Sequence, residues 1–327
     1  MSLSLRPLTL RNSFQAVFLL FYLYLGLRFN HWVELLRSGS LPSFPRPAAV
    51  DGFLPISGLA GLRLWLEGGD LNPIHPAAVL IFVAALATAL LLKRGFCAWI
   101  CPVFTLSEPL WRLGRRLFGR NFAPPFWLDL PLRGLKYLLL GFFLWQLLWG
   151  MPLAGLRQFL YAPYHKLADV RMLEFFLQPS ALLLGVLAFL TLASLFVQMP
   201  WCRYLCPYGA LLGIFSLLSP SRIARREAHC IRCGHCSNRC PAWLPVMQKK
   251  QIRSSECYAC LHCVSNCPAP EALALTWGGK WNIPPWLFAL LLVSCFLLAD
   301  LYGRLSGHWI GSVSPQEIMN LLRLARP

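Results

Sequence analysis

The chain has 327 residues, enough for one or two soluble domains, but 57% of them are hydrophobic, only 13% are charged and the mean hydropathy is +0.54. That balance excludes an ordinary soluble fold and places the chain among membrane proteins. A net charge of +17 would suggest nucleic acid in a soluble protein, but here no run of Lys and Arg interleaved with aromatics stands apart from the apolar flanks, so nucleic-acid binding is set aside and the charge is a topology signal.

Residues 1–12 carry Arg6 and Arg11, and an apolar run follows over residues 13–28. A basic start and an apolar stretch also fit a cleaved signal peptide. This run is rich in Phe and Tyr, however, and Asn30, His31 and Trp32 follow it in place of a small-residue cleavage site, so we read it as a retained first span. Four more runs approach the roughly 20 residues that cross a hydrocarbon core: residues 76–92, 134–151, 180–198 and 285–302. The run over residues 208–218 is too short to cross and predicts an interfacial or re-entrant helix. Five spans alternate sides. With the N-terminus inside, the inner segments hold 20 of the 30 Lys and Arg but only 5 of the 13 Asp and Glu, which puts the N-terminus in the cytoplasm and the C-terminal tail outside.

A repeat underlies this layout. One outer loop contains Leu54-Pro55-Ile56-Ser57-Gly58-Leu59 and leads through a span to Cys97-x-x-x-Cys101-Pro102. The other contains Ala162-Pro163-Tyr164-His165-Lys166-Leu167 and leads through a span to Cys202-x-x-x-Cys206-Pro207. Cysteines four apart share a helix face about 6 Å apart in rise if the span runs through them, and the proline then ends or kinks the helix. A single buried pair would read as packing. Two pairs at equivalent positions predict an additional redox or metal site made by Cys97, Cys101, Cys202 and Cys206, holding a metal or a cluster or acting as a dithiol. The residues Tyr164, His165 and Lys166 could offer a quinol a donor and a proton acceptor, but they fit a snorkelling amphipathic loop better.

Residues 230–268 contain C-x-x-C-x-x-C-x-x-x-C-P twice, as Cys230, Cys233, Cys236, Cys240, Pro241 and then Cys257, Cys260, Cys263, Cys267, Pro268. This is the ligand run of a bacterial two-cluster ferredoxin, in which three thiolates hold one cluster and the fourth reaches the other. The rule assigns Cys230, Cys233, Cys236 and Cys267 to the first [4Fe-4S] cluster, and Cys257, Cys260, Cys263 and Cys240 to the second. Zinc gives no reason for the third cysteine at the same interval or for the fourth with its proline. Disulfides conflict with a segment whose Arg232, Arg239, Lys249, Lys250 and Arg253 place it in the cytoplasm.

The seven histidines fall in loops, at span ends or in the cysteine segment, so no haem is expected. His235 and His262 precede the third cysteine of each motif and either tune a cluster or fill an exposed position. Cys295, inside the last run, reads as packing.

Taken together, the two C-x-x-x-C-P motifs after apolar spans and the two ferredoxin motifs resemble the NapH-type membrane ferredoxins and the membrane half of NosR, over roughly residues 14–274. The resemblance implies an inner-membrane electron-transfer protein linking the quinone pool to a partner redox protein. NosR-like proteins carry a large periplasmic flavin-binding domain before the membrane part, and CcoG-type proteins continue into a C-terminal sandwich domain. Neither matches this chain, which favours the NapH-like end of the family. A CcoG-like copper reductase or assembly role is the alternative. The expected fold is therefore an all-α polytopic membrane protein with two repeated helix-pair units and an inserted two-cluster ferredoxin domain. Its parts are a membrane core over residues 1–220, a cytoplasmic domain over 221–280, and a last span with a short periplasmic tail over 281–327.

Overall fold

The computed structural model describes residues 7–269 and 271–324; Arg6 and Arg326, which enter the charge comparison, lie outside them. In chain order the helices are α1 (Pro7–Arg37), α2 (Pro55–Gly68), α3 (Pro76–Leu92), α4 (Gly95–Trp99), α5 (Pro102–Phe118) and α6 (Phe126–Leu148). They continue as α7 (Leu153–Tyr161), α8 (Pro163–Lys166), α9 (Ala168–Leu177), α10 (Ala181–Phe196) and α11 (Pro207–Ser216). The cysteine-rich segment follows with β1 (Ser221–Arg225), α12 (His235–Asn238), β2 (Gln251–Ile252), α13 (His262–Ser265), β3 (Leu273–Trp277) and β4 (Trp281–Asn282). The chain closes with α14 (Pro285–Leu305) and α15 (Pro315–Leu324).

Each expected apolar run lies in a helix, but not always in a straight one. Among the described residues α1 and α14 are each long and apolar enough to cross a bilayer, and there are up to four crossings if two bent pairs each count as one. Those pairs are α6 with α7, bent by 102°, and α9 with α10, bent by 73°. Pro152 and Pro179 stand in the two breaks, where a residue without an N–H cannot continue the helix. α3 is straight but has 17 residues, at the lower end of what spans a bilayer. α1 extends well beyond residues 13–28 because residues 8–12 and 30–37 contain no glycine or proline to stop it, and Pro7 stands at its first position, where a proline is tolerated. His31 therefore sits within α1 and not in a loop.

The chain divides into two compact units. The first comprises Met1–Leu19, Ala85–Gly141 and Gly185–Cys295 and holds every cysteine of the four motifs. Its sheet has the order β2-β1-β3-β4 and is antiparallel throughout, with Ile223 facing both Ile252 and Leu275 in register. All three are buried, which gives the sheet one apolar face. The fold is thus helical except for this sheet, whose two-residue edge strands leave no alternating pattern to read. α5 packs against the end of α10 so closely that a Cβ on Gly114 would lie 1.7 Å from the Leu195 carbonyl oxygen, which restricts that position to glycine.

The second unit comprises Leu20–Ala84, Phe142–Leu184 and Phe296–Pro327. One of its cores joins Phe29, Trp32 and Leu36 of α1 to Leu167, Val170, Ile318 and Leu322. Another joins Ala60 and Leu64 of α2 to Leu147, Leu156 and Leu160. Both matched loops of the repeat lie here: Pro55 opens α2 and Pro163 opens α8, each in the first-turn position where its missing N–H costs nothing.

Candidate functional site

The two ferredoxin motifs fold alike. Arg232 and Gly234 flank Cys233 with φ of 55° and 77°, while Ala259 and Leu261 flank Cys260 with φ of 51° and 59°. Positive φ strains a branched residue such as Leu261 by about 1 kcal/mol or more, and it persists only where the surroundings demand it. Here it curls each loop so that successive N–H groups form a nest of the kind that receives anionic sulfur clusters. A one-turn helix, α12 or α13, then carries the third cysteine of each motif.

The eight cysteines sort into two cavities in crossed fashion. A cavity of about 360 Å³ is lined by Cys240, Cys257, Cys260 and Cys263 with apolar Ile223, Leu244 and Ile252. A second, of about 310 Å³, is lined by Cys230, Cys233, Cys236 and Cys267 with Met247 and Leu273. Among the described residues no three His, Cys, Asp or Glu side chains sit close enough to share one metal ion. A zinc site needs that approach, whereas each ligand of a cubane holds a different iron and stands apart from the others. The residues therefore fit iron–sulfur clusters. The two cavities differ in exposure: all four cysteines of the first are buried, but Cys233 of the second is exposed beside exposed Ile231 and Arg232.

The C-x-x-x-C-P motifs also fold alike, though not as continuations of the spans. α3 ends at Leu92 and Lys93 turns left-handed at φ 57°; α10 ends at Phe196 and Met199 turns left-handed at φ 52°. The helix-face spacing expected of these cysteine pairs is replaced by a wider loop. The Cys101 N–H donates to the Phe96 carbonyl at 3.0 Å, and the Cys206 N–H to the Trp201 carbonyl at 2.9 Å, the same five-residue return at equivalent positions. Cys101 and Cys206 then cap α5 and α11, with Pro102 and Pro207 in the first turn. The Gly209 N–H donates to Cys206 Sγ at 3.2 Å. Burial pushes the Cys101 thiol up to about 12, and the nearby Cys97 and Cys206 thiols add to the rise. Burial likewise raises Cys202, with the Cys206, Cys101 and Cys97 thiols adding to the rise.

Each motif sends a side chain to the fully buried ferredoxin cavity. Trp99 Nε1 donates to the Ala259 carbonyl at 3.1 Å, and Arg203 Nη1 donates to the Ala242 carbonyl at 2.8 Å. Arg203 also grips Asp129 with both Nε and Nη2, at 2.9 and 2.8 Å. Lys136 of α6 meets Glu256 at 2.5 and 2.7 Å, and Tyr204 donates to Asp129 at 2.8 Å.

On the other side of that cavity Arg11 donates to the Cys260 carbonyl at 2.8 Å and pairs with Glu108 at 2.5 Å. Gln15 reaches the Ala98 carbonyl at 2.8 Å, and Arg112 pairs with Glu108 as well. His262 Nε2 lies 2.7 Å from Glu108, and His262 is buried, whereas His235, at the same place in the first motif, is exposed. Burial lowers the His262 imidazole below its ordinary range despite Glu108, so it is neutral and Nε2–H donates to the carboxylate. Burial would raise Glu108, but that hydrogen bond and the charges of Arg11 and Arg112 hold it well below the usual carboxylate range. These partners were not singled out from the sequence. Their signal was present, since Arg11, Arg94, Glu108 and Lys136 are ionisable residues beside apolar spans, where charge is costly unless paired.

The second unit holds a separate network. Arg46 joins Asp169 at 2.7 Å and Asp51; His75 Nδ1 lies 3.0 Å from Asp51, its Nε2 2.9 Å from the His165 carbonyl, and Ser57 Oγ 3.2 Å from His165 Nε2. The two matched loops of the repeat thus touch through Ser57 and His165. Only Tyr164 of the expected snorkelling triad is exposed; His165 is buried, and Lys166 is held by Glu317 at 2.5 Å.

A 4Fe-4S binding domain model matches residues 74–121 and again 179–226, and a 4Fe-4S dicluster domain model matches residues 222–268. The putative electron transport protein YccM of Escherichia coli is 40% identical over 323 residues, covering 96% of this chain and 89% of that protein. The regulatory protein NosR of Pseudomonas aeruginosa is 31% identical over 50% of this chain and 22% of its own length. The ferredoxin-type protein NapH of Haemophilus influenzae is 30% identical over 52% of this chain and 54% of its own. No solved structure matches. Apolar helices of spanning length beside thiol-lined cavities define a membrane iron–sulfur electron-transfer protein. Within that class the chain belongs to the NapH/NosR-type iron–sulfur proteins.

Proposed function

We propose that the chain carries electrons from quinol in the inner membrane to a partner redox protein through two [4Fe-4S] clusters. In this reading Cys257, Cys260, Cys263 and Cys240 ligate the cluster nearer the C-x-x-x-C-P motifs, and Cys230, Cys233, Cys236 and Cys267 ligate the other. Each cluster supplies one-electron chemistry when bound. The observation that carries the reading is the crossed sorting of the eight cysteines into one cavity whose four cysteines are all buried and one in which Cys233 is exposed. Trp99 and Arg203 brace the buried cavity from the motif side, and Ile231 with Arg232 offers an exposed edge where a partner can approach.

Five spans, with residues 1–12 and the 221–280 segment cytoplasmic and the tail after α14 periplasmic, agree with the distribution of Lys and Arg. The 1–220 core and the 281–327 closing segment complete this division. Anaerobic EPR of membranes titrated with a reduced quinol analogue tests the function. Two interacting cluster signals that grow with quinol are expected; clusters that reduce with dithionite but never with quinol would remove the quinone link.

A further inference from the structure

Arg94 is a cation with more hydrogen-bonding capacity than the protein around it uses. It is 1% exposed, yet its Nε and Nη2 have no hydrogen-bond partner among the described residues. Only Nη1 is engaged, at 3.3 Å from the Ser255 carbonyl and 3.5 Å from Glu256. Its guanidinium lies over the Tyr258 ring at 4.4 Å. Glu256 is held mainly by Lys136, which meets both of its oxygens at 2.5 and 2.7 Å, and it engages Arg94 through Nη1 alone, at 3.5 Å. Asp129 is likewise taken by Arg203 and Arg133. Leaving buried donors unmade costs about 1–3 kcal/mol, more for a charged group, so an acceptor is to be expected beside them.

The neighbours of those free donors are sulfurs. A Cβ on Gly209 would meet Arg94 Nη2 at 2.7 Å and Cys206 Sγ at 3.4 Å, so the guanidinium and that thiol face the same small space. Cys97 and Cys202 act electrostatically on the same guanidinium. Gly209 N–H already points at Cys206 Sγ, and Cys101 precedes α5 in the equivalent position, so both stand at helix N-termini whose positive ends oppose the effect of burial on the sulfurs. We propose that Cys97, Cys101, Cys202 and Cys206 hold a third iron–sulfur cluster, an anionic one, and that Arg94 is its counter-cation.

The charge balance favours this assignment. Four thiolates around an iron–sulfur core of charge +2 leave a net charge of about −2, which a buried cation with open N–H groups compensates. A tetrahedral zinc ion needs three or more of these sulfurs around one point, and no such group exists among the described residues; copper is decided by the metal content of the purified protein.

The test uses the full-length protein purified anaerobically in detergent, with iron, sulfide, zinc and copper measured per chain. Wild type should carry about two to four iron beyond the roughly eight of two cubanes. The C101S/C206S variant should lose that excess while both ferredoxin signals persist. R94Q should either lose the same excess or shift the third signal to a lower midpoint potential, and R94K should restore it. A wild-type value of about eight iron overturns the proposal without any variant, as does stoichiometric copper or zinc released by C101S/C206S. These outcomes are independent of the quinone link, because iron content does not depend on the electron donor.

Discussion

Trp99, lying between Cys97 and Cys101, donates its indole N–H to the carbonyl of Ala259, lying between Cys257 and Cys260. Motifs some 160 residues apart in sequence are thereby fixed one against the other. Trp99→Phe keeps an aromatic ring toward Phe288, whose ring centroid lies 5.3 Å from that of Trp99, but removes the donor and part of a fully buried side chain. It should lower stability by about 1–3 kcal/mol, since the Ala259 carbonyl is left unpaired, with iron content unchanged. Thermal unfolding in detergent reads the loss; an unchanged midpoint would mean that the contact carries no weight.

The proposed crossed ligand sets make Cys240 and Cys267 informative, because each would complete a set whose other three cysteines belong to the other motif. Cys267→Ala should remove or distort the cluster held by Cys230, Cys233 and Cys236, at the exposed cavity. Cys240→Ala should affect the buried one instead. Paired EPR spectra distinguish the two, and damage confined to the cluster of the mutated motif itself would reverse the assignment.

Glu108 is shared by buried Arg11 and His262 and by Arg112, whose side chain is 35% exposed. Glu108→Gln leaves two guanidinium groups without their counter-charge. A loss of roughly 3–5 kcal/mol is expected, the usual result of breaking a buried ion pair from one side. Denaturant titration measures it, and a loss below about 1 kcal/mol would mean that the arginines find other partners.

The histidine pair of the second unit gives stability two pH limbs. Burial lowers His165 from 6.5 to about 4, with His75 adding to the drop, so its contribution is complete above pH 6.5 and is lost as the pH falls toward about 4. For His75, burial acts downward, but the charge and hydrogen bond of Asp51 exceed it and raise the group above 6.5. Its contribution is complete below that value and is lost as the pH rises through the raised one. Stability should therefore peak near pH 6.5. His165→Gln should flatten the acid limb, worth on the order of 3 kcal/mol, and leave the alkaline limb in place. Unfolding midpoints measured across that range check it; two limbs that vanish together would mean that the pair titrates as one unit.

Topology is open to a direct measurement. A reporter active only outside the cytoplasm should work when fused after Leu321 and fail when fused near Gln248. The reverse pattern would mean that the chain is inserted with its N-terminus outside or that one of the first four apolar segments does not cross.

The cysteine motifs and apolar runs were legible because their information is local: spacing, proline and length. The bends at Pro152 and Pro179 were written in the sequence too, but hydropathy averages over them. The charged partners were not legible. Lys136 finds Glu256 across 120 residues and Arg11 finds Cys260 across 249, and nothing local selects those pairs. His235 and His262 illustrate the limit most plainly. They occupy the same motif position, and only the tertiary contact with Glu108 and Trp111 buries one of them. The cysteine pairs at 97–101 and 202–206 were readable as a repeat, yet the left-handed residues that end α3 and α10 before them were not, because neither Lys93 nor Met199 is a residue type that announces such a turn.

The unequal burial of the two four-cysteine cavities also governs how the protein tolerates air. Dioxygen and small oxidants reach a cluster by collision, so under the proposed assignment the site that includes exposed Cys233 meets them first, while the cavity lined by Cys240, Cys257, Cys260 and Cys263 also carries Leu244, Ile252 and Leu261. Brief aeration should therefore strip iron in two phases, with the fast phase disconnecting the surface of the protein from its interior before the interior is harmed.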